Sequence, residues 1–336
     1  MPTKPVIPLI DLGTAGLDEL ARRMPDRTRM LCAAAGRQIG RPVLSAMDRR
    51  SRRWLAANET PYAAEIDAVA AIPGVFGAHG LNLSTEWACT SATSDGRLVR
   101  ILDWPIRGLG GAIVVARHES PAGAWLNVTW PGFVGVLTGL APGRFAIAYN
   151  QAPICRVTGL RPVDWVLERV RLGPRTAIPA THLLRRVYEI CPDFDAALAM
   201  LRETPIAHAG LFTLAGAGGE AAIVEKSGEL SVVHPGPGAI PNHWLNSDWQ
   251  GHARGVDSHG RMSQACTLLP RLRDLQPDFG WMAAPMLNHL TRLAVIADLR
   301  LGTFAVLGLD RDKGTALPAT ECCNINILKD FPALSA

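Results

Sequence analysis

Three residues with reactive or charged side chains, Cys89, Arg100 and Asp103, lie within one short stretch that reads as a β-hairpin. Asp95-Gly96 between two β-forming runs is a strong signal for a two-residue turn. Centring the turn there pairs Ser91 with Arg100, Cys89 with Leu102 and Ala88 with Asp103. Cys89 and Arg100 would then share one face of the hairpin. Asp103 would lie near the backbone nitrogen of Cys89 rather than near its thiol.

This arrangement has a chemical meaning if the chain is cut before Cys89. A free α-amine, with a reference pKa of about 7.7 to 8.0, would then be a base attached to its own nucleophile. Arg100 would favour the thiolate and steady a substrate carbonyl, while Asp103 would hold the new ammonium group. From the residues alone this is weak evidence, because a Cys opposite a Leu in a hairpin is usually a small buried hydrophobic residue.

Apolar spacing and turn residues predict the elements that carry these side chains. Apolar residues three and four positions apart predict a helical N-terminal part, with helices over residues 17–23, 28–38, 42–57 and 61–71. Alternation and Gly- or Pro-containing turns then predict strands over residues 97–104, 112–116, 125–137 and 144–149.

The second half repeats this order of helices followed by strands. It predicts helices over residues 162–171, 181–190 and 195–203, then strands over 210–214, 221–225 and 230–234, then helices over 261–275 and 281–290, and last strands near 302–309 and 321–328. Strict strand–helix alternation is missing, so the pattern predicts an α+β fold.

Composition excludes several classes of protein. The formal net charge is only +4, with 34 basic residues spread among 30 acidic ones, which argues against a nucleic-acid partner. The run Arg49-Arg50-Ser51-Arg52-Arg53 fits a solvated helix face, and a transient membrane-surface contact stays open. Seven cysteines without a CxxC pair, and a start without a signal-peptide pattern, lead us to expect a cytoplasmic protein.

Common cofactor and metal motifs are missing. The sequence has no GxSxG elbow, Walker loop, HExxH motif or Gly-rich dinucleotide fingerprint. His243, His252 and His259 share one polar loop, but no Cys or acidic residue joins them at a known zinc spacing. We therefore expect no cofactor and no metal.

Several segments, in order, resemble a known family. Cys89-Thr90-Ser91 with Arg100 and Asp103 resembles the nucleophile hairpin of acid ceramidase and the N-acylethanolamine-hydrolysing acid amidase. These belong to the cysteine branch of the N-terminal-nucleophile (Ntn) hydrolases, with the bile-salt hydrolases and the penicillin acylases and acyltransferases. Residues 132–145 resemble that family's Gly-x-x-Gly-x-x-Thr-Gly-x-x-Pro-Gly-x-Phe strand pair. Weaker likenesses lie at residues 61–66, 81–86, 182–185, 204–207 and 243–249, so the resemblance covers about residues 60 to 265.

The resemblance implies a four-layer αββα sandwich, two antiparallel sheets flanked by helices, and self-cleavage between Ala88 and Cys89. Fragments 1–88 and 89–336 would together form one domain. It implies Cys89 as nucleophile, Arg100 and Asp103 as its partners, and Asn246 as the amide that donates to the oxyanion. Arg261 would brace the site, although Arg254 could serve instead.

One departure from the family concerns pH. The acidic or amide residue followed by Glu-Arg in the lysosomal relatives corresponds here to Asn150-Gln151-Ala152, with Asn150 and Gln151 as possible substrate or oxyanion contacts. The lost carboxylate suggests the hypothesis that self-processing takes place at neutral pH.

The implied activity is hydrolysis of the amide bond of an N-acyl amide, with a lipophilic acyl group such as that of a ceramide or N-acylethanolamine. The partners would be that small-molecule substrate and the chain's own fragment 1–88. An acyltransferase and a non-catalytic lipid- or partner-binding protein remain alternatives. A papain-type Cys-His-Asn hydrolase would need an essential histidine beside Cys89, such as His208, His234 or His243.

Overall fold

A computed structural model describes residues 3–58, 60–84, 86–171, 177–312 and 314–330. Its N-terminal part contains a strand and five helices: β1 (Leu9–Gly13), α1 (Asp18–Arg23), α2 (Pro25–Ile39), α3 (Arg41–Ala57), α4 (Ala63–Ala70) and α5 (Ala78–Asn82). The four predicted helices are confirmed. The strand β1 and the short helix α5 were not predicted.

Most strands follow in hairpins: β2 (Ala88–Ser94), β3 (Arg97–Asp103), β4 (Val114–His118), β5 (Trp125–Thr129), β6 (Thr138–Ala141), β7 (Phe145–Gln151), β8 (Ile154–Cys155), β9 (Gly210–Gly216), β10 (Ala221–Ser227), β11 (Leu230–Pro235), β12 (Gly238–Ile240), β13 (Gly251–His252), β14 (Thr291–Asp298), β15 (Thr303–Asp312), β16 (Thr315–Pro318) and β17 (Cys323–Asn326). The remaining helices are α6 (Leu109–Ala112), α7 (Arg161–Arg171), α8 (Ala180–Ile190), α9 (Phe194–Glu203), α10 (Ser258–Leu268) and α11 (Ile327–Asp330), with a 3-10 helix over Leu269–Asp274.

The described strands form two large sheets. The first sheet has the order β1-β4-β5-β6-β7-β9-β10-β11, and only the β1–β4 pair in it is parallel. The second sheet has the order β12-β2-β3-β14-β15-β16, and β17 also pairs with β15. A small pair, β8 with β13, lies apart from both sheets.

The two large sheets are stacked face to face, and side chains on each strand alternate between the inner and outer face. Ser91 Oγ lies 2.7 Å from Thr213 Oγ1, so the odd-numbered side chains of β2 face the first sheet. On the far side of the first sheet, Tyr188 of α8 packs against the rings of Trp125 and Phe145. On the far side of the second sheet, α10 and the 3-10 helix cover β2 and β3. The order of layers is helices, sheet, sheet, helices, which confirms the predicted α+β sandwich.

The hairpin of β2 and β3 has the predicted register. Ser91 pairs with Arg100, Cys89 with Leu102, and Ala88 with Asp103. Asp95 and Gly96 both have positive φ, 49° and 73°, as the favoured two-residue hairpin turn requires.

Two predicted elements are wrong in part or whole. Residues 281–290 form turns rather than a helix, because Pro285 has no N–H to donate and Asn288 competes for backbone partners. The Asn288 side chain accepts from Leu290 N at 2.9 Å, and Asn288 N donates to Thr291 Oγ1 at 3.0 Å. The strand predicted over residues 125–137 ends at Thr129, where Pro131 and Gly132 with φ 99° turn the chain.

Across the described part of the chain, we find no helix with both the length and the apolar character to cross a lipid bilayer.

Candidate active site

Cys89 lies near the start of β2 and its side chain points between the two sheets. The residue is fully buried, and the thiol receives a hydrogen bond from Arg100 Nη2 at 3.0 Å. This contact follows from the register, because Arg100 stands opposite Ser91 and is the diagonal neighbour of Cys89 on the same face. The predicted placement of Arg100 beside the thiol is therefore confirmed.

Arg100 is held rigidly by the first sheet. Its Nη2 also donates to the carbonyl of Tyr149 at 3.0 Å, and its Nη1 donates to Thr138 Oγ1. Burial raises the pKa of the Cys89 thiol above its ordinary value, while the positive charge of Arg100 opposes that rise. Thr138 and the Tyr149 carbonyl are thus part of the site, although the sequence did not single them out.

The backbone nitrogen of Cys89 donates to Asn242 Oδ1 at 2.7 Å. Asn242 is fully buried, and its Nδ2 donates to the carbonyl of Gln151 at 2.7 Å. Strand β12 ends with Ile240 opposite Ser91, so continuing the register by two residues brings Asn242 opposite Cys89. The sequence-based prediction did not include Asn242. It could have been found from its position two residues after the end of β12, in register with Cys89.

Arg261 also reaches Cys89, as predicted. Its Nη1 donates to the Cys89 carbonyl and, at 3.0 Å, to Thr90 Oγ1, while Nη1 and Nη2 each lie 3.1 Å from Asn242 Oδ1. The residue is fully buried, which excludes a surface helix start. Burial lowers the pKa of Arg261, and the charge of Asp103 opposes this. The alternative, Arg254, instead donates to the carbonyl of Ala152 and to Glu168.

Asp103 stands opposite Ala88 as predicted, but its carboxylate has other partners than the Cys89 nitrogen. Oδ2 accepts from Asn288 Nδ2 at 2.7 Å, and Oδ1 accepts from Thr291 Oγ1 at 2.9 Å. Burial raises the pKa of Asp103, while Arg261 and these two hydrogen bonds oppose the rise. Asp103 points to the opposite face of the hairpin from the thiol. Cys89 pairs with Leu102, and the next residue along a strand points to the other face.

Asn246 is not brought to Cys89. Its backbone nitrogen donates to Glu225 Oε2 at 2.8 Å, and its Oδ1 accepts from the nitrogen of Asp248 at 3.0 Å. No hydrogen bond links Asn246 to Cys89 in the portion that the structure describes. The asparagine that reaches Cys89 is Asn242, four residues before the predicted Asn246. Asn242 continues the register of β12, and the loop then turns toward β10.

Asn150 and Gln151 lie at the end of β7, and both are buried. Asn150 Nδ2 donates to Ser91 Oγ at 2.9 Å and to the Ile240 carbonyl at 2.8 Å, while its Oδ1 is buried without a hydrogen bond among the described residues. The Gln151 side chain accepts from Tyr149 Oη at 2.7 Å, and its backbone carbonyl holds Asn242. Both residues brace the side chains around Cys89.

The junction between Ala88 and Cys89 is closely covered. Ala88 is buried, and a Cβ built on Gly255 would lie 2.5 Å from Ala88 Cβ and 2.8 Å from Arg261 Nη2. Gly255 also has φ 75°, which disfavours any side chain there. The loop after β13 therefore fits over the junction only because it carries glycine.

His243 of the neighbouring loop contacts the site through Ser258. His243 Nδ1 lies 2.9 Å from Ser258 Oγ, which accepts from the nitrogen of Asn242 at 3.2 Å. Burial, and then the charges of His259 and Arg261, lower the pKa of His243 to about 4. Within the described ranges, no three His, Cys, Asp or Glu side chains are grouped closely enough to hold a metal ion.

Comparison with known proteins returns the predicted group of relatives. The chain matches no family model. It is similar to acid ceramidase of Pan troglodytes, with 26% identity over 186 residues that make up 52% of this chain and 45% of that protein. The match thus spans a little under half the length of this relative.

Solved structures with partial likeness include an N-acylethanolamine-hydrolyzing acid amidase ortholog of Caenorhabditis elegans, at 18% identity and a TM-score of 0.46, covering 64% of this chain and 93% of that one. A conjugated bile acid hydrolase from Clostridium perfringens has 12% identity and a TM-score of 0.39, covering 71% and 96%. These comparisons find the proteins that the sequence resemblance predicted, and that resemblance is confirmed. The order of the layers is taken from this chain's own sheets and helices.

Proposed function

We propose that this chain is a self-processing amidohydrolase with an N-terminal cysteine, which cuts its backbone between Ala88 and Cys89 and then hydrolyses an N-acyl amide. One observation carries the proposal. The thiol, the nitrogen and the carbonyl of Cys89 are each bound by a different buried side chain, namely Arg100, Asn242 and Arg261. A cysteine that only fills space needs none of these contacts. The similarity to acid ceramidase supports the same reaction class.

In the processing step, the Cys89 sulfur attacks the Ala88 carbonyl carbon, the peptide C–N bond breaks, and the nitrogen takes the thiol proton. The products are a thioester on Cys89 and a free α-amine. Asn242 Oδ1 already accepts a hydrogen bond from this nitrogen, so it orients the leaving amine. Water then hydrolyses the thioester, which gives fragments 1–88 and 89–336.

In turnover, the α-amine of Cys89 accepts the thiol proton and the thiolate attacks the substrate carbonyl. Arg100 stabilises the thiolate, since a cation 3.0 Å away opposes the rise that burial causes in the thiol pKa. The leaving amine takes a proton from the α-ammonium group, and water clears the acyl-enzyme. Asp103, through Arg261, balances the charge of the site. Asn150, whose Nδ2 donates to Ser91 Oγ and to the Ile240 carbonyl, and Gln151, whose carbonyl holds Asn242, support the residues around Cys89.

Fragment 1–88 would stay bound after the cut, as the second partner of fragment 89–336. Arg185 of α8 donates from Nη1 and Nη2 to the two carboxylate oxygens of Glu65 on α4, each at 2.8 Å. Burial alone would lower the pKa of Arg185, but Glu65 raises it overall. The amide of Asn82 donates to the Gly132 carbonyl at 2.9 Å and accepts from Val134 N at 2.8 Å. Strand β1 completes one edge of the first sheet.

The surroundings of the junction favour an apolar acyl group. The ring of Trp87, one residue before Ala88, lies 4.4 Å from that of Trp104, 5.5 Å from Trp130 and 5.8 Å from Phe133. The four rings are 1 to 5% exposed and pack on one another, so they make the neighbourhood of the junction apolar. The substrate class that fits is an N-acyl amide with a lipophilic acyl group, as the family resemblance implies.

Intact-mass measurement of purified protein tests the proposal directly. We expect wild type, and the control Cys155→Ala at an exposed cysteine, to yield masses of fragments 1–88 and 89–336, and Cys89→Ala to stay whole. A panel of N-acyl amides that vary in chain length and amine, with release of the free amine as readout, then tests turnover. Uncut wild type that still releases amine would overturn the N-terminal-cysteine mechanism.

A further inference from the structure

A cavity lies on the outer face of the second sheet, away from Cys89. Cross-strand pairing sets two side-chain rows there, Arg97-Asp298-Thr303-Asn326 and Val99-Ile296-Ala305-Asn324. The 3-10 helix contacts β2 and β3. The side chains of β15 and β17 thus form one wall of a hollow, and the chain just after the 3-10 helix forms the other.

The cavity has a volume of about 400 Å³, which is in the range of small-molecule sites. Its apolar part includes Leu275, Pro277, Ile296, Leu301 and Ala305. Its polar part is formed by two arginines, three amides and a hydroxyl: Arg97, Arg273, Gln276, Asn324, Asn326 and Thr303. Among the lining residues that the structure describes, none is acidic.

Arg97 is the fixed cation of this cavity. It is 6% exposed, its Nη1 donates to the carbonyls of Leu272 and Arg273, and its Nε lies 3.3 Å from Asp298 Oδ2. Asp298 is itself engaged, since its Oδ1 accepts from the nitrogens of Arg300 and Leu301 at 3.1 and 2.9 Å. Burial lowers the pKa of Arg97, so an additional anion would stabilise its charged form.

Arg273 brings a second positive charge to the rim. Its side chain is 74% exposed, and its nearest carboxylate, Asp274, lies 3.8 Å away and is itself exposed. Two guanidinium groups at one end of an apolar floor complement a planar anionic group attached to an apolar body, because the guanidinium donors match the geometry of a carboxylate.

We propose that this cavity binds a small amphiphilic carboxylate, with the carboxylate at Arg97 and Arg273 and the apolar part on Ile296 and Ala305. The site is separate from Cys89. Arg97 and Cys89 are five register positions apart on the hairpin, about 17 Å at roughly 3.3 Å per residue. They also lie on opposite faces of the second sheet. The proposal does not depend on the proposed reaction.

Isothermal titration of the purified chain with sodium octanoate tests this site. We expect saturable binding of one octanoate per chain, weakened at least tenfold in Arg273→Glu. Arg271→Glu, the same charge change at an exposed neighbour outside the cavity lining, should leave the affinity unchanged. Octanamide, which has the same apolar body without the charge, should bind at least tenfold more weakly than octanoate.

Four results would overturn the proposal: no saturable binding, equal affinity in Arg273→Glu, equal loss in Arg271→Glu, or equal affinity for octanamide. Titration of Cys89→Ala separates this cavity from the catalytic site. Binding retained in Cys89→Ala supports the outer cavity, whereas binding lost there places the octanoate at Cys89. Because Arg273 is exposed, its substitution leaves the fold intact, and a circular dichroism melt verifies this.

Discussion

Replacing Asn242 with alanine tests the site most directly, because it separates the residue that the structure brings to Cys89 from the one that the sequence favoured. The substitution removes an oxygen that accepts from Cys89 N at 2.7 Å and from both terminal nitrogens of Arg261 at 3.1 Å. It also leaves the Gln151 carbonyl without its donor.

The expected loss can be estimated from these contacts. A buried hydrogen bond to a charged group contributes about 1.5 to 3 kcal/mol, and the Asn242 oxygen accepts two such bonds from Arg261. A loss of about 3 kcal/mol from the transition state lowers a rate about 100-fold. We therefore expect Asn242→Ala to slow self-processing and amide hydrolysis each about 100-fold.

The assay follows the fraction of cut chain over time by intact mass, and amine release by the processed enzyme. Asn246→Ala is the matched control, and we expect a change below about threefold, because its side-chain oxygen accepts from Asp248 N and, among the described residues, has no hydrogen bond to Cys89. Asn242→Asp keeps the shape and an acceptor for Arg261, so it should retain more activity than Asn242→Ala. A larger loss in Asn246→Ala than in Asn242→Ala would refute this assignment.

Three further predictions concern stability and processing. Arg185→Met should cost about 3 kcal/mol, since it takes the buried cation away from the partly buried carboxylates of Glu65 and Glu189. It should release fragment 1–88 at lower urea than the exposed control Arg186→Met, as size-exclusion chromatography would detect. Gly255→Ala should slow self-processing at least tenfold in a mass time course, because its Cβ meets the residue before the junction and φ is 75°; unchanged processing would contradict this. Burial lowers the pKa of both His118 and His182 to about 3, so the unfolded chain takes up their protons first as pH falls below about 6.5. Stability present above that pH should drop by about 2 kcal/mol for each histidine at pH 5, as urea unfolding at pH 5 and 7.5 would measure; equal stability at both would exclude it.

The acid sensitivity bears on the conditions of self-processing. Gln151 stands where the lysosomal relatives were expected to carry a carboxylate, and two neutral histidines are buried under the helical layer. We therefore expect the precursor to process faster at pH 7.5 than at pH 5. Strict dependence of cleavage on acid would exclude this hypothesis.

Local pattern in the sequence predicted most of what is local in the structure. The turn at Asp95-Gly96 was sufficient to predict the whole register of the hairpin, because strand pairing next to a two-residue turn leaves one alignment. That register placed Arg100 beside Cys89. Helical periodicity likewise identified α2, α3 and α8, because an amphipathic helix repeats its apolar face in a short window.

Only the tertiary structure decided which distant side chains complete the site. Asn242 reaches Cys89 because β12 pairs with β2 across about 150 residues of chain, and Asn246, only four residues further, turns away to Glu225. The same holds for Asn288 and Thr291 at Asp103. No local window contains these pairings, since their geometry comes from the packing of whole sheets and helices. The sequence by itself determined the hairpin that carries Cys89, and the fold determined what surrounds it.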